Sequence, residues 1–160
     1  MLQDVQSRKH NGRGFRFAIV ASEYNGEYVD SMLSAARSEL RKAGARDVKV
    51  VRVPGAYEVP IAAAKLARKS TEELTELPLG AVICLGVILR GETTHAAHIG
   101  EAVSRALMDL QVRYEVPMVH EVLLLESHDQ ARARCLDRKK NRGREAALTA
   151  LAMAQIMQSI

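Results

Sequence analysis

The chain has no tryptophan and only two phenylalanines and four tyrosines among its 160 residues. So few rings exclude a row of platforms on which the bases of a single strand could stack. The core must be filled instead by Val, Ile, Leu, Ala and Met. Cysteine is equally scarce. Cys84 falls inside an apolar run and Cys135 inside a basic one, which makes no disulfide framework and reads as two packing residues in a reducing compartment. No apolar run approaches the roughly 20 residues that cross a bilayer. The first such run, Phe15 to Ala21, is about a strand long by the usual lengths and is no secretory signal. A cytoplasmic protein without a membrane partner is expected. Charge of neither sign dominates, since 23 Lys and Arg meet 19 Asp and Glu for a net +4. That excess favours small anions and does not establish a nucleic-acid surface.

What is present suits one domain with a proper core. Residues 1–14 are polar and without period, an expected N-terminal arm, and residues 15–160 form the expected domain. Phe15 to Ala21 reads as a first strand, and Val29, Met32, Leu33, Ala36 and Leu40 recur at helical spacing before Gly44. Val48 to Val53 is a second strand and Pro54 to Tyr57 its closing loop. Glu58 opens a second helix that tolerates Pro60 in its first turn. Ser70 to Pro78 is a polar connection. Ala81 begins a third strand, Thr94 to Arg113 is the next helix, and Pro117 to Leu124 the fourth strand. From Asp129 the chain is helical, with a break near Asn141 to Gly143 and a last helix from Glu145. The order β-α-β-α-β-α-β-α-α argues for an α/β fold, a single four-stranded parallel sheet with helices on both faces.

In such sheets ligands lie at the carboxyl ends of the strands. Three clusters follow strands here: Tyr24-Asn25, Pro54 to Glu58, and Gly86 to His95. In the last, small hydroxyl residues and a histidine stand where a helix begins, which suits an anion and proton transfer near neutrality. Taken alone, those residues read equally well as a threonine-capped helix with a surface histidine.

Together the clusters resemble the family of 6,7-dimethyl-8-ribityllumazine synthases, the penultimate enzymes of riboflavin biosynthesis. The resemblance runs from about Phe15 to Ile156 and rests on Tyr24-Asn25, on Pro54 to Pro60, and on Gly86 to His95; Arg134 and Asn141-Arg142-Gly143 fall at its basic and loop positions. It implies a flavodoxin-like fold assembled into pentamers, with each active site between two subunits. It implies the condensation of 5-amino-6-(D-ribitylamino)uracil with 3,4-dihydroxy-2-butanone 4-phosphate, releasing phosphate and water, without metal or organic cofactor. Association with riboflavin synthase belongs to the same expectation, and nucleic acid does not.

Residue by residue, the resemblance implies His95 as the proton-transfer group, and Tyr24 as the ring that stacks on the pyrimidine, followed by Asn25 in the turn. Ala56, Tyr57, Glu58 and the backbone of Val87, Ile88 and Leu89 match the ribityl and uracil contacts. Glu92 and Thr93 match the phosphate positions, with Arg134 entering from the adjacent subunit and Arg142 as a loop contact. Two departures stand out. His120 occupies a place where relatives have phenylalanine, and it could stack, titrate or do neither, with stacking the preferred reading. Glu121 replaces a small residue. This altered wall leaves open a protein that holds a flavin or lumazine without turnover, while the run Arg132 to Arg144 is the feature a nucleic-acid module would use.

Overall fold

The computed structural model describes residues 9–160, so residues 1–8 of the expected arm lie outside it. Four strands, β1 (Arg16–Ser22), β2 (Val48–Val53), β3 (Leu79–Leu89) and β4 (Met118–Leu125), pair in parallel in the order β2-β1-β3-β4. α1 (Gly26–Lys42), α2 (Val59–Glu72) and α3 (His95–Tyr114) make the crossovers. α4 (His128–Ala131), a π-helical turn at Arg132–Leu136 and α5 (Arg142–Ser159) follow β4. The strand order is flavodoxin-like, with its topological switch between β1 and β3. The expected α/β architecture is borne out.

Parallel strands covered on both sides need continuous apolar sequence. The stretch Ala81-Val82-Ile83-Cys84-Leu85 meets that need, and every residue in it is buried. Because successive side chains point to opposite faces, Phe17, Ile19, Ile83 and Leu85 pack under α1 and α5, whereas Ala18, Val20, Val82 and Cys84 pack under α2 and α3. Scarcity of large rings has a geometric consequence: helices must approach the sheet and each other closely. α5 buries Gly143, Ala146, Ala147, Ala150 and Ala154. A Cβ at Gly143 would fall inside the Met32 carbonyl of α1, and one at Gly80 would come within 2.8 Å of the Ala154 Cβ.

Boundaries move by a few residues. α2 continues to Glu72, into the expected polar connection, and the 3-10 turn Ala56–Glu58 precedes it. α5 starts at Arg142 rather than Glu145, because Asn141 accepts the Gly143 N–H with Oδ1 at 2.9 Å and so caps the helix instead of breaking it. Residues just before β1 are tied to the body: Gly12 N donates to Ala43 O at 2.8 Å, and His10 Nδ1 lies 3.2 Å from Gln155 Oε1 on α5.

The register positions the site. β1 pairs with β3 only as far as Ala21 opposite Leu85, while β4 continues to Leu125 opposite Leu89. Gly86 to Leu89 therefore overhang β1 and keep a strand neighbour on one side only.

Candidate active site

Three strand ends meet at the carboxyl edge of the sheet. After β1, Glu23 N donates to Val53 O at 2.8 Å and Tyr24 N to Pro54 O at 3.1 Å, which locks the first turn onto the second. Asn25 then adopts a left-handed backbone and donates from Nδ2 to the Val87 carbonyl at 2.8 Å, joining the turn to the β3 overhang. The ring of Tyr24 is 71% exposed and lies over Gly55. A side chain at Gly55 would meet that ring at 3.1 Å and Glu58 Oε2 at 2.9 Å, so this glycine leaves the room that brings an aromatic face and a carboxylate together. Glu58 Oε2 accepts the Gly55 N–H at 2.9 Å, which fixes its carboxylate as a capping-box partner does. Ala56 is buried beside it and Tyr57 is exposed.

The overhang supplies backbone groups. The Val87 carbonyl is taken by Asn25, which leaves Ile88 and Leu89, both half-buried, as the further strand positions on this edge. Arg90 is held by two contacts at the end of β4 and just beyond it, its N–H to Leu125 O at 2.9 Å and its Nη1 to Glu126 Oε1 at 3.0 Å. Gly91 to His95 are all exposed. α3 begins at His95 with no side-chain cap from Thr94 and no acidic residue in its first turn. Its positive end is thus bordered by the hydroxyls of Thr93 and Thr94 and faces outward, an arrangement that favours an anion. Thr93 Oγ1 stands 3.4 Å from the His95 N–H.

The β4 wall is built differently on its two faces. His120 accepts the Val122 N–H at Nδ1, 3.1 Å, so the neutral ring carries its proton on Nε2 and donates it to Ser104 Oγ at 2.8 Å. Ser104 in turn donates to Gly100 O on α3 at 2.8 Å. Both ring nitrogens are occupied, and desolvation holds the pKa of His120 below its ordinary value. Glu121 points to the opposite face and is buried, with Arg142 Nη2 on Oε1 at 2.8 Å and Arg142 Nε on Oε2 at 3.0 Å. The third nitrogen, Nη1, is paired with Glu145. Every guanidinium nitrogen of Arg142 thus meets a carboxylate. Burial pushes the Glu121 carboxyl above the usual range, opposed by the Arg142 contact.

Arg134 is exposed on the π-helical turn, which packs on α1 and α5 rather than on the α2 and α3 layer next to Glu58 and His95. Tyr24, Asn25, Ala56, Glu58 and Val87 are therefore brought into one patch within a single chain, whereas Arg134 belongs to another layer. Desolvation raises the thiols of Cys84, to about 12, and of Cys135, to about 11. Three features are not visible in the sequence: the Glu121–Arg142 pair, the 2.8 Å contact of Tyr28 Oη with His128 Nδ1, and the buried Ser22 hydroxyl, which has no partner among the described residues. Glu121 stands out as a departure, yet a separation of 21 residues hides its pairing with Arg142. Among the described residues no group of three or more His, Cys, Asp and Glu is placed to hold a metal ion, and no helix is long and apolar enough to cross a membrane.

Known proteins resemble the chain over nearly its whole length. A family model described as 6,7-dimethyl-8-ribityllumazine synthase matches residues 14–158. The 6,7-dimethyl-8-ribityllumazine synthase of Aquifex aeolicus is 37% identical over 158 residues, covering 98% of each chain. That of Xanthomonas euvesicatoria pv. vesicatoria is 37% identical over 145 residues, 89% of this chain and 90% of its own. That of Stenotrophomonas maltophilia is 35% identical over 147 residues, 91% and 90% of the two chains. On these grounds the chain belongs to the 6,7-dimethyl-8-ribityllumazine synthase family, transferases of riboflavin synthesis.

Proposed function

We propose that this protein condenses 5-amino-6-(D-ribitylamino)uracil with 3,4-dihydroxy-2-butanone 4-phosphate, forming 6,7-dimethyl-8-ribityllumazine and releasing phosphate and water. The observation that carries the reading is the patch at the carboxyl edge, where Tyr24 and Glu58 meet over Gly55 beside the β3 overhang and the open start of α3. Tyr24 stacks on the pyrimidine, whose flat face suits an exposed ring. The loop of Ala56, Tyr57 and Glu58 takes the ribityl chain, and Ile88 and Leu89 offer backbone groups to the uracil; Val87, its carbonyl already bonded to Asn25, contributes less.

The butanone phosphate lies on the backbone N–H groups at Glu92 and Thr93 and on the Thr93 hydroxyl, at the positive end of α3. His95 then stands next to the carbon skeleton being rearranged. The attacking amine must lose a proton, phosphate elimination needs another removed, and the closing dehydration needs one returned to the departing water; one imidazole, able both to take up and to release a proton, serves all three. No metal or organic cofactor enters the proposed reaction. Holding two reactants in one orientation accelerates the reaction more than proton transfer does, with effective molarities reaching about 10⁵ M or more in favourable cases.

The site is completed by a neighbouring copy in a pentamer, which brings Arg134 to the phosphate and His120 to the wall. Support comes from the separate layer that carries Arg134 and from exposed Ile61 on α2 and Met108 and Val112 on α3, apolar side chains that a second copy would cover. A cytoplasmic setting and an association with riboflavin synthase complete the proposal, with residues 15–160 as the enzyme domain.

Mixing the purified chain with both substrates and following lumazine absorbance tests it. Product above the uncatalysed background, cut by about 10²-fold in His95→Ala, is the expected result. Tight lumazine or flavin binding with no product would instead identify a ligand-holding protein and overturn the enzyme reading.

A further inference from the structure

We propose that Glu121 is a positioning residue which acts through Arg142 to hold Arg134, and so sets the affinity of the site for its phosphate-bearing substrate. This rests on the functional reading above, in which Arg134 grips that phosphate.

Glu121 is a charge in an apolar setting. Its side chain shares a face of β4 with Val119, Leu123 and Leu125, all part of the α1 and α5 core. A carboxylate placed there without partners would be costly. Arg142 supplies them with two parallel contacts, at 2.8 and 3.0 Å, the bidentate geometry that guanidinium and carboxylate planes allow. Replacing a buried pair of this kind by well-packed apolar side chains is often neutral or stabilising. Stability alone is therefore a poor account of a pair so placed.

Its position gives a better one. Arg142 is the first residue of α5, and the bidentate grip fixes where that helix starts. Asn141, the residue before, reaches back with Nδ2 to the Cys135 carbonyl at 2.5 Å and to Ser31 Oγ at 3.2 Å. Ser31 Oγ also donates to that carbonyl, at 2.6 Å. Cys135 follows Arg134 directly on the π-helical turn, a conformation that is rare overall and frequent at functional sites. Glu121, Arg142, Asn141 and the Cys135 carbonyl thus form a connected frame beneath Arg134. The electrostatics agree, since the Arg134 charge is close enough to favour the ionised form of Glu121.

The same frame keeps Arg142 from acting as a phosphate ligand. Its three nitrogens are taken by Glu121 and Glu145, so it acts as a strut.

The test compares the full chain with Glu121→Gln, which keeps the shape and loses the charge, and with the double variant Glu121→Leu, Arg142→Met, which removes the buried pair and leaves only the partly exposed Glu145 without its arginine. Two quantities are read: the KM of each substrate, and the Kd of inorganic phosphate by calorimetry. Misplacement of a binding group by about 1 Å can cost up to about 10²-fold. The expected result is a rise of about tenfold in the KM for butanone phosphate and in the phosphate Kd of both variants, with the KM for ribitylaminouracil changed by less than about twofold. A merely structural pair would lower the melting temperature and leave the phosphate Kd unmoved, and that result overturns the proposal. So does an equal rise in both KM values. If Glu121→Gln fails to fold, the double variant decides. If the wild type makes no lumazine, the functional reading fails, and the phosphate titration still judges the frame: a weaker Kd in the variants upholds it. A wild type that binds no phosphate sinks it.

Discussion

Asn25 stands in the left-handed region at φ 56° and ψ 43°, and its Nδ2 donates to the Val87 carbonyl at 2.8 Å. One residue thereby turns the chain from β1 into α1 and ties that turn to the β3 overhang. Asparagine tolerates this backbone better than other side chains that carry a Cβ. Asn25→Ala loses the bond and keeps the strain, at a cost of about 2 kcal/mol in stability. Asn25→Gly relieves the backbone and loses only the bridge, at about 1 kcal/mol. Both should raise the KM for ribitylaminouracil by a similar factor, because both free the overhang. Urea titration and the two KM values check this, and an unchanged KM in Asn25→Gly would show that the bridge does not shape the site.

Gly143 makes a second prediction, on packing. A methyl group there collides with the Met32 carbonyl, and α5 can yield only by leaving α1. Gly143→Ala should destabilise by about 3 kcal/mol, at the upper end for overpacked sites. Gly91 has nothing within 4 Å of an added Cβ, so Gly91→Ala should stay within about 0.5 kcal/mol. Equal melting temperatures for the two variants would mean that α5 and α1 are not in backbone contact.

These two glycines mark what the sequence could say. The strands, the helical crossovers and the three polar strand ends were legible because apolar runs and turn residues are local signals. The motifs also drew attention to Tyr24 and Glu58, which the structure brings together over Gly55, and to His95, which it places at the start of α3. Contacts across the fold could not. That Asn25 bonds Val87, 62 residues on, follows from the register at which β1 stops short of β3, and register is set by packing. Glu121 looked like an odd residue in a strand; its partner became visible only once α5 lay beside β4. Likewise the helical run after Asp129 concealed a π-helical turn, because Arg132 to Leu136 offers the same residue types that an α-helix accepts.

His120 yields a prediction in pH. Its folded pKa is lowered from 6.5 by partial desolvation of the ring, although the residue as a whole stays exposed. The groups facing it are the Val122 N–H on its own strand and the Ser104 hydroxyl on α3. Protonation at Nδ1 would set a second donor against the Val122 N–H. The unfolded chain binds the proton at a higher pH than the folded one, so stability rises with pH through this window and is lost as pH falls below about 6.5 toward the folded value. Replacing His120 by Phe removes the contribution. Denaturation at pH 8 and pH 5.5 should then show a smaller fall for His120→Phe than for the wild type. Parallel falls would mean that the ring is free in solution.

The cysteines provide the last prediction, and it bears on the frame around Arg134. Only the thiolate reacts readily with a disulfide reagent. With thiols at about 12 for Cys84 and about 11 for Cys135, the ionised fractions at pH 8 are about 10⁻⁴ and 10⁻³. Both side chains are also buried. The native chain should therefore release no chromophore from such a reagent within minutes, and should react at both cysteines once unfolded. The two sites report on different motions. Cys84 lies in the central strand, where exposure requires global unfolding. Cys135 lies on the π-helical turn, held through its carbonyl by Ser31 and Asn141, and local release of that turn would expose it. Reaction at Cys135 alone in the native protein would mean that the turn opens by itself. Arg134 would then be carried on a mobile segment, and the rigid support that Glu121 and Arg142 give it would be refuted together with the prediction.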